Sequence, residues 1–154
     1  MRKQLLVLAA VLVVLAALPL AAFAQTAEGT GHIVAEGDGL AYLRGEGWVR
    51  ITGNGTLLIR DRAGDAEIVV TGHGSRMQRG QTIYYRGFDG EAYVRGSAIT
   101  VGLRGHDIHL EAEGTGVVYL RGEGWYNVNG EEGRWTASGV RLQLRPVGDP
   151  AQAN

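Results

Sequence analysis

The sequence predicts an all-β protein of short strands and Gly-x-Gly turns arranged as a β-solenoid, the alternative being an antiparallel meander that forms a barrel or sandwich. Three observations carry this expectation. Gly-x-Gly triplets return every eight residues at Gly29/Gly31, Gly37/Gly39, Gly45/Gly47 and Gly53/Gly55, and again at Gly72/Gly74, Gly114/Gly116 and Gly122/Gly124. The five-residue segments between them alternate apolar and polar, which is the period of a strand with one buried face. Glycine at each triplet supplies positive φ without a Cβ penalty, as a tight turn needs.

The first 24 residues read as a leader rather than as part of this fold. Arg2 and Lys3 are followed by an unbroken apolar run over 5–18, then Pro19 and the small-residue box Ala22-Phe23-Ala24. That is the pattern of a cleaved export signal. The run is also long enough to stay as an N-terminal membrane anchor. No later segment has the length and apolarity to span a bilayer, so the expected location is periplasmic or extracellular, with N-terminal anchoring as the alternative.

The body, 25–145, reads as one glycine-rich domain. Aligning its segments by their glycines places Ile33/Ala35, Ala41/Leu43, Val49/Ile51, Leu57/Ile59, Ile68/Val70, Ala92/Val94, Val118/Leu120 and Tyr126/Val128 on the buried face. The intervening residues meet water. Two inward residues per strand, many of them alanine, fill a narrow coil better than a wide barrel. If a triplet such as 45–47 is instead a hairpin loop, Arg44 lies opposite Trp48 in a cross-strand cation–π pair, with Glu46 at the turn. Register is expected to loosen at a charged turn over 60–64, at the polar run 75–79 and at 97–103 across Gly102. Residues 146–154, rich in Pro and polar groups, read as a disordered tail.

Residues 35–53 recur at 112–130, with 12 of 19 positions identical. Glycine identity says only that the turns are kept. The informative part is Tyr42, Arg44, Glu46 and Trp48 on the non-core face, repeated as Tyr119, Arg121, Glu123 and Trp125. Exposed aromatics beside Arg and Glu suit contact with sugar rings or with a protein, so these eight residues are the candidate binding site.

Other chemistry is thinly represented. Without cysteine there is no disulfide, thiol or lipid-anchoring Cys. Loss of Arg2 and Lys3 with the leader moves the formal charge from −1 to about −3, unlike the basic surface of nucleic-acid readers. Asp107, His109, Glu111 and Glu113 form an alternating stripe. However, next-nearest side chains on one strand stand about 6.6 Å apart, too far for one strand alone to gather three ligands on a cation. No cofactor motif, metal set or catalytic group stands out.

Stretches such as Gly53-Asn-Gly-Thr-Leu-Leu-Ile-Arg-Asp, Gly87-Phe-Asp-Gly and Gly122-Glu-Gly-Trp resemble those of uncharacterised secreted glycine-rich bacterial β-repeat proteins. More distantly, the strand rhythm is similar to β-solenoid adhesin head domains and bactofilin-like polymers. The expected function is a non-catalytic exported module that binds a surface polysaccharide or an envelope protein. The alternatives are a self-assembling structural envelope protein and, last, a metal-dependent enzyme built on Asp107, His109 and Glu111.

Overall fold

A computed structural model describes residues 30–146, and 84% of them lie in strands, with no helix. The leader, and the tail apart from Pro146, lie outside the described residues. Two long strands dominate, β1 (Gly31–Asp61) and β4 (Thr82–Val128), paired antiparallel. Short strands β2 (Glu67–Thr71), β3 (Ser75–Arg79), β5 (Glu131–Trp135) and β6 (Val140–Leu144) each add to β4, also antiparallel. The result is one antiparallel sheet, not closed into a barrel.

The long strands cannot be straight. Ile33 is the Cα partner of both Ala112 and Val128, and Tyr42 of both Gly102 and Tyr119. Neighbouring strands lie about 4.8 Å apart, so residues 112 and 128, flanking one position, stand about 10 Å apart, where a straight strand would separate them by about 50 Å. β4 therefore coils, and β1 coils with it, most residues of β1 having β4 on both sides.

The bends fall where glycine meets glycine. Gly37 faces Gly124, Gly39 faces Gly122, Gly45 faces Gly116 and Gly47 faces Gly114. At Gly47, where φ is +124°, an added Cβ would run into the Glu113 carbonyl oxygen and stand 2.7 Å from the Gly114 Cα. Two backbones thus turn together at a separation no side chain allows. This corrects the hairpin expectation: the chain runs through 45–47 within one strand, Arg44 pairs with Thr100 and Val117, and Trp48 pairs with Arg95 and Glu113. The parallel stacking expected of a solenoid is also not found, since every pairing is antiparallel.

Register sorts the segments into two rows. One runs 131–135, 124–128, 31–37, 108–114, 47–53, 90–96 and 67–71; the other runs 140–144, 116–122, 39–45, 99–105, 55–61, 82–88 and 75–79. Inward residues of both rows share one hydrophobic cluster. Every expected core pair belongs to it: Leu43, Ile51 and Leu120 are buried, while Ile68, Val70, Tyr126 and Val128 pack partly buried against it. The stretch across Gly102 adds Ile99, Val101 and Leu103, and 75–79 is an edge strand. The charged turn begins two residues later than expected, after Asp61, whose carboxylate accepts the Gly64 and Ala66 amides at 2.8 and 3.0 Å. Trp135, absent from the expected core, is the largest fully buried side chain. It packs against the corner glycines Gly37 and Gly124 and donates Nε1–H to the Glu36 carbonyl at 3.1 Å.

Candidate functional site

The duplicated segments pair with each other. Tyr42 stands opposite its own copy, Tyr119, and the surrounding pairs follow a local two-fold relation. Arg44 faces Val117 as Arg121 faces Leu40, and Trp48 faces Glu113 as Trp125 faces Glu36. The duplication thus brings the two tyrosines together at the centre of one row while the coil carries both tryptophans round a glycine corner into the other.

On the outer side of the tyrosine row lies a groove of about 770 Å³, lined by Tyr42, Arg44, Glu46, Tyr119, Arg62 and Arg141 among others. Its width follows from strand order, since Arg141 on β6 is the partner of Tyr119, Tyr119 of Tyr42, and Tyr42 of Gly102. Each ring rests against a glycine. A Cβ on Gly102 would come within 3.1 Å of Tyr42 Cδ2, and one on Gly139 within 2.6 Å of the Tyr119 hydroxyl oxygen. Half-buried against backbone, both rings are fixed before any ligand arrives, which reduces the ordering entropy of binding.

Arginine outnumbers carboxylate on the lining of this groove. Arg44, Arg62 and Arg141 are exposed, and none forms an ion pair among the described residues. Glu46 is the one carboxylate on the lining, and it accepts a hydrogen bond from the Thr115 hydroxyl at 3.2 Å. By contrast, Arg50 on the other row holds Glu91 at 2.7 Å, a bond that raises the guanidinium pKa further. In a neighbouring hollow with Glu46, Glu67 and Arg95, Asp65 takes hydrogen bonds from Ser97, which hold its carboxyl below the usual range.

The other expected site residues lie elsewhere. Trp48 stacks on Tyr93, with centroids 6.4 Å apart and planes 22° apart, in a hollow with Arg50, Glu91 and Glu111. Arg121 donates Nε–H to the Ala137 carbonyl at 2.9 Å, so the copy of Arg44 is tied down where Arg44 is not. Glu123 is exposed at a corner opposite Asp38. Trp125, 40% exposed, shares a hollow with Glu36, Asp38, Asp107 and His109. The eight residues are therefore three surfaces, not one platform.

The Asp107–Glu113 stripe is divided among neighbours on β1. His109 Nδ1 lies 2.8 Å from Glu36 Oε1, His32 Nε2 lies 3.4 Å from Glu111 Oε1, and Asp38 accepts the Asp107 amide at 2.8 Å. Among the described residues no three His, Asp or Glu side chains converge as ligands for a cation. No helix among them is long and apolar enough to cross a membrane.

No family model, curated protein or solved structure matches this chain. The geometry therefore carries the functional argument.

Arg62 and Arg141 were not singled out from sequence. Arg141 had a local signal, since it alternates with inward-facing Val140, Leu142 and Leu144. Nothing local joined it to Tyr119. Tyr93, the partner of Trp48, was hidden for the same reason.

Proposed function

We propose that this protein is a non-catalytic exported module that binds an acidic cell-surface polysaccharide along the Tyr42–Tyr119 groove. The observation that carries the reading is the convergence of three exposed guanidinium groups, none of them ion-paired among the described residues, around two tyrosine rings that rest against glycine. Tyrosine faces suit the apolar side of a sugar ring, and the arginine fork matches a uronate carboxylate. A formal charge of −1 over the whole chain argues against a nucleic-acid ligand, whose capture relies on an extended basic surface. Export rests on the leader at 1–24.

On this reading the architecture is a β-hairpin wound into a flattened coil whose two flat faces are the two rows. The double register of β1 on β4 and the single core shared by both rows support it. Such a coil presents a long, rigid outer face to a polymer.

Affinity electrophoresis through gels containing polygalacturonate, with dextran as the neutral control, tests the ligand. The protein is retarded by the polyuronate and not by dextran, and retardation weakens with salt. Arg44→Ala or Arg141→Ala loses a charge-assisted contact of about 1–2 kcal/mol, a roughly 5- to 30-fold loss in affinity. Equal retardation of wild type and both variants would remove this groove from the account.

A further inference from the structure

We infer that β2 is a self-association edge, through which two copies of this chain pair antiparallel about Val69. Four short strands, β2, β3, β5 and β6, pair with β4 alone among the described residues. Three of them carry charge within the strand: Arg76 and Arg79 on β3, Glu131, Glu132 and Arg134 on β5, and Arg141 on β6. Charges on an edge are the usual guard against edge-to-edge pairing. β2, Glu-Ile-Val-Val-Thr, has its only charge at its first residue, and its central Val69 is 51% exposed.

The sequence of β2 suits a second copy of itself. In an antiparallel pair centred on Val69, Glu67 of one copy lies opposite Thr71 of the other, Ile68 opposite Val70, and Val69 opposite Val69. No like charges meet, and β-branched side chains face one another along the whole strand, a favourable cross-strand combination. Alternate residues of an edge strand direct their N–H and C=O outward, and a two-fold pair centred on Val69 satisfies them in either phase.

Side chains on both sides of the strand continue across such a junction. Inward, Ile68 and Val70 are only partly buried against the core, so a second copy would extend the hydrophobic interior from one molecule into the next. Outward, Val69 is the partner of Tyr93, which stacks on Trp48. The apolar strip Trp48, Tyr93, Val69 therefore ends at the edge and would meet its own mirror there. The pairing also explains an aromatic stack that lies outside the tyrosine groove.

Sedimentation velocity on the purified protein from about 1 to 200 μM tests the proposal. Wild type is a dimer at the upper end of that range. Val69→Lys, which sets two ammonium groups against each other on the two-fold axis, raises the dissociation constant at least tenfold, while circular dichroism and the thermal midpoint report whether it remains folded. Because the chain has no cysteine, Val69→Cys gives an independent readout that does not require loss of association: mild oxidation links two copies into a covalent dimer, and link formation is first-order within the preformed dimer. A monomer throughout the range, a dimer unaffected by Val69→Lys, or a Val69→Cys protein that does not cross-link would each overturn the assignment.

Discussion

Replacing Gly47 with alanine tests why the chain is punctuated by glycine. At φ +124° an L-residue is strained, at about 1–3 kcal/mol. The added methyl would also meet the Glu113 carbonyl and the Gly114 Cα, neither of which can rotate away as a side chain would. Overpacking against a fixed neighbour adds about 1–3 kcal/mol. The combined loss is about 2–6 kcal/mol, a large part of the ~5–15 kcal/mol that holds a domain of this size. Gly80→Ala is the matched control, because φ there is +58° and nothing lies within 4 Å of the added methyl. Its cost is the left-handed conformation alone, about 1–2 kcal/mol. Urea unfolding followed by tryptophan fluorescence gives both values. If Gly47→Ala cost no more than Gly80→Ala, close backbone approach would not be the reason for the glycines.

Two further expectations concern groups that sequence alone did not place. Trp135→Ala removes the largest fully buried side chain and the 3.1 Å bond to the Glu36 carbonyl, and is expected to cost about 3–5 kcal/mol in urea unfolding. Hydrogen bonds from Ser97 hold the folded-state pKa of Asp65 below its ordinary value of 3.8. Its contribution to stability is therefore present above pH 3.8 and is lost as pH falls through the lower, folded value. Ser97→Ala removes the hydroxyl but keeps the backbone amide that donates to Asp65 Oδ1 at 3.2 Å, so it should move the Asp65 carboxyl part of the way back toward its ordinary value in an NMR titration, and an unchanged titration would show that the hydroxyl does not help to hold it.

The core was legible because alternation needs no long-range knowledge. Ile33, Ala35, Val49 and Ile51 face inward whichever strand lies beside them. The glycine corners were legible as corners, but not as places where glycine faces glycine, because register depends on partners far away in the chain. The duplication announced eight similar residues, yet one face of a straight strand becomes two faces once the strand bends at 45–47. Tyr42 and Trp48 were separated for that reason. Arg62 and Arg141 reach the groove through pairings with distant parts of β4, and no local pattern reports such neighbours. Trp135 was hidden by its setting in β5, a short, highly charged strand that reads as surface.

The pairing of Tyr42 with Tyr119 underlies the groove, the two-fold relation and the coil together, so cross-linking beside it is the most direct measurement. Glu46 and Thr115 are Cα partners, and their side chains are joined by a 3.2 Å hydrogen bond. In a chain without cysteine, the double variant Glu46→Cys/Thr115→Cys should close a disulfide on mild oxidation and run as a compact monomer on non-reducing gels, since paired strand positions lie within disulfide reach. Asp38→Cys/Thr115→Cys, whose positions have other partners, should remain reduced. A pattern in which the first variant stays open and the second closes would contradict the register and the groove built on it.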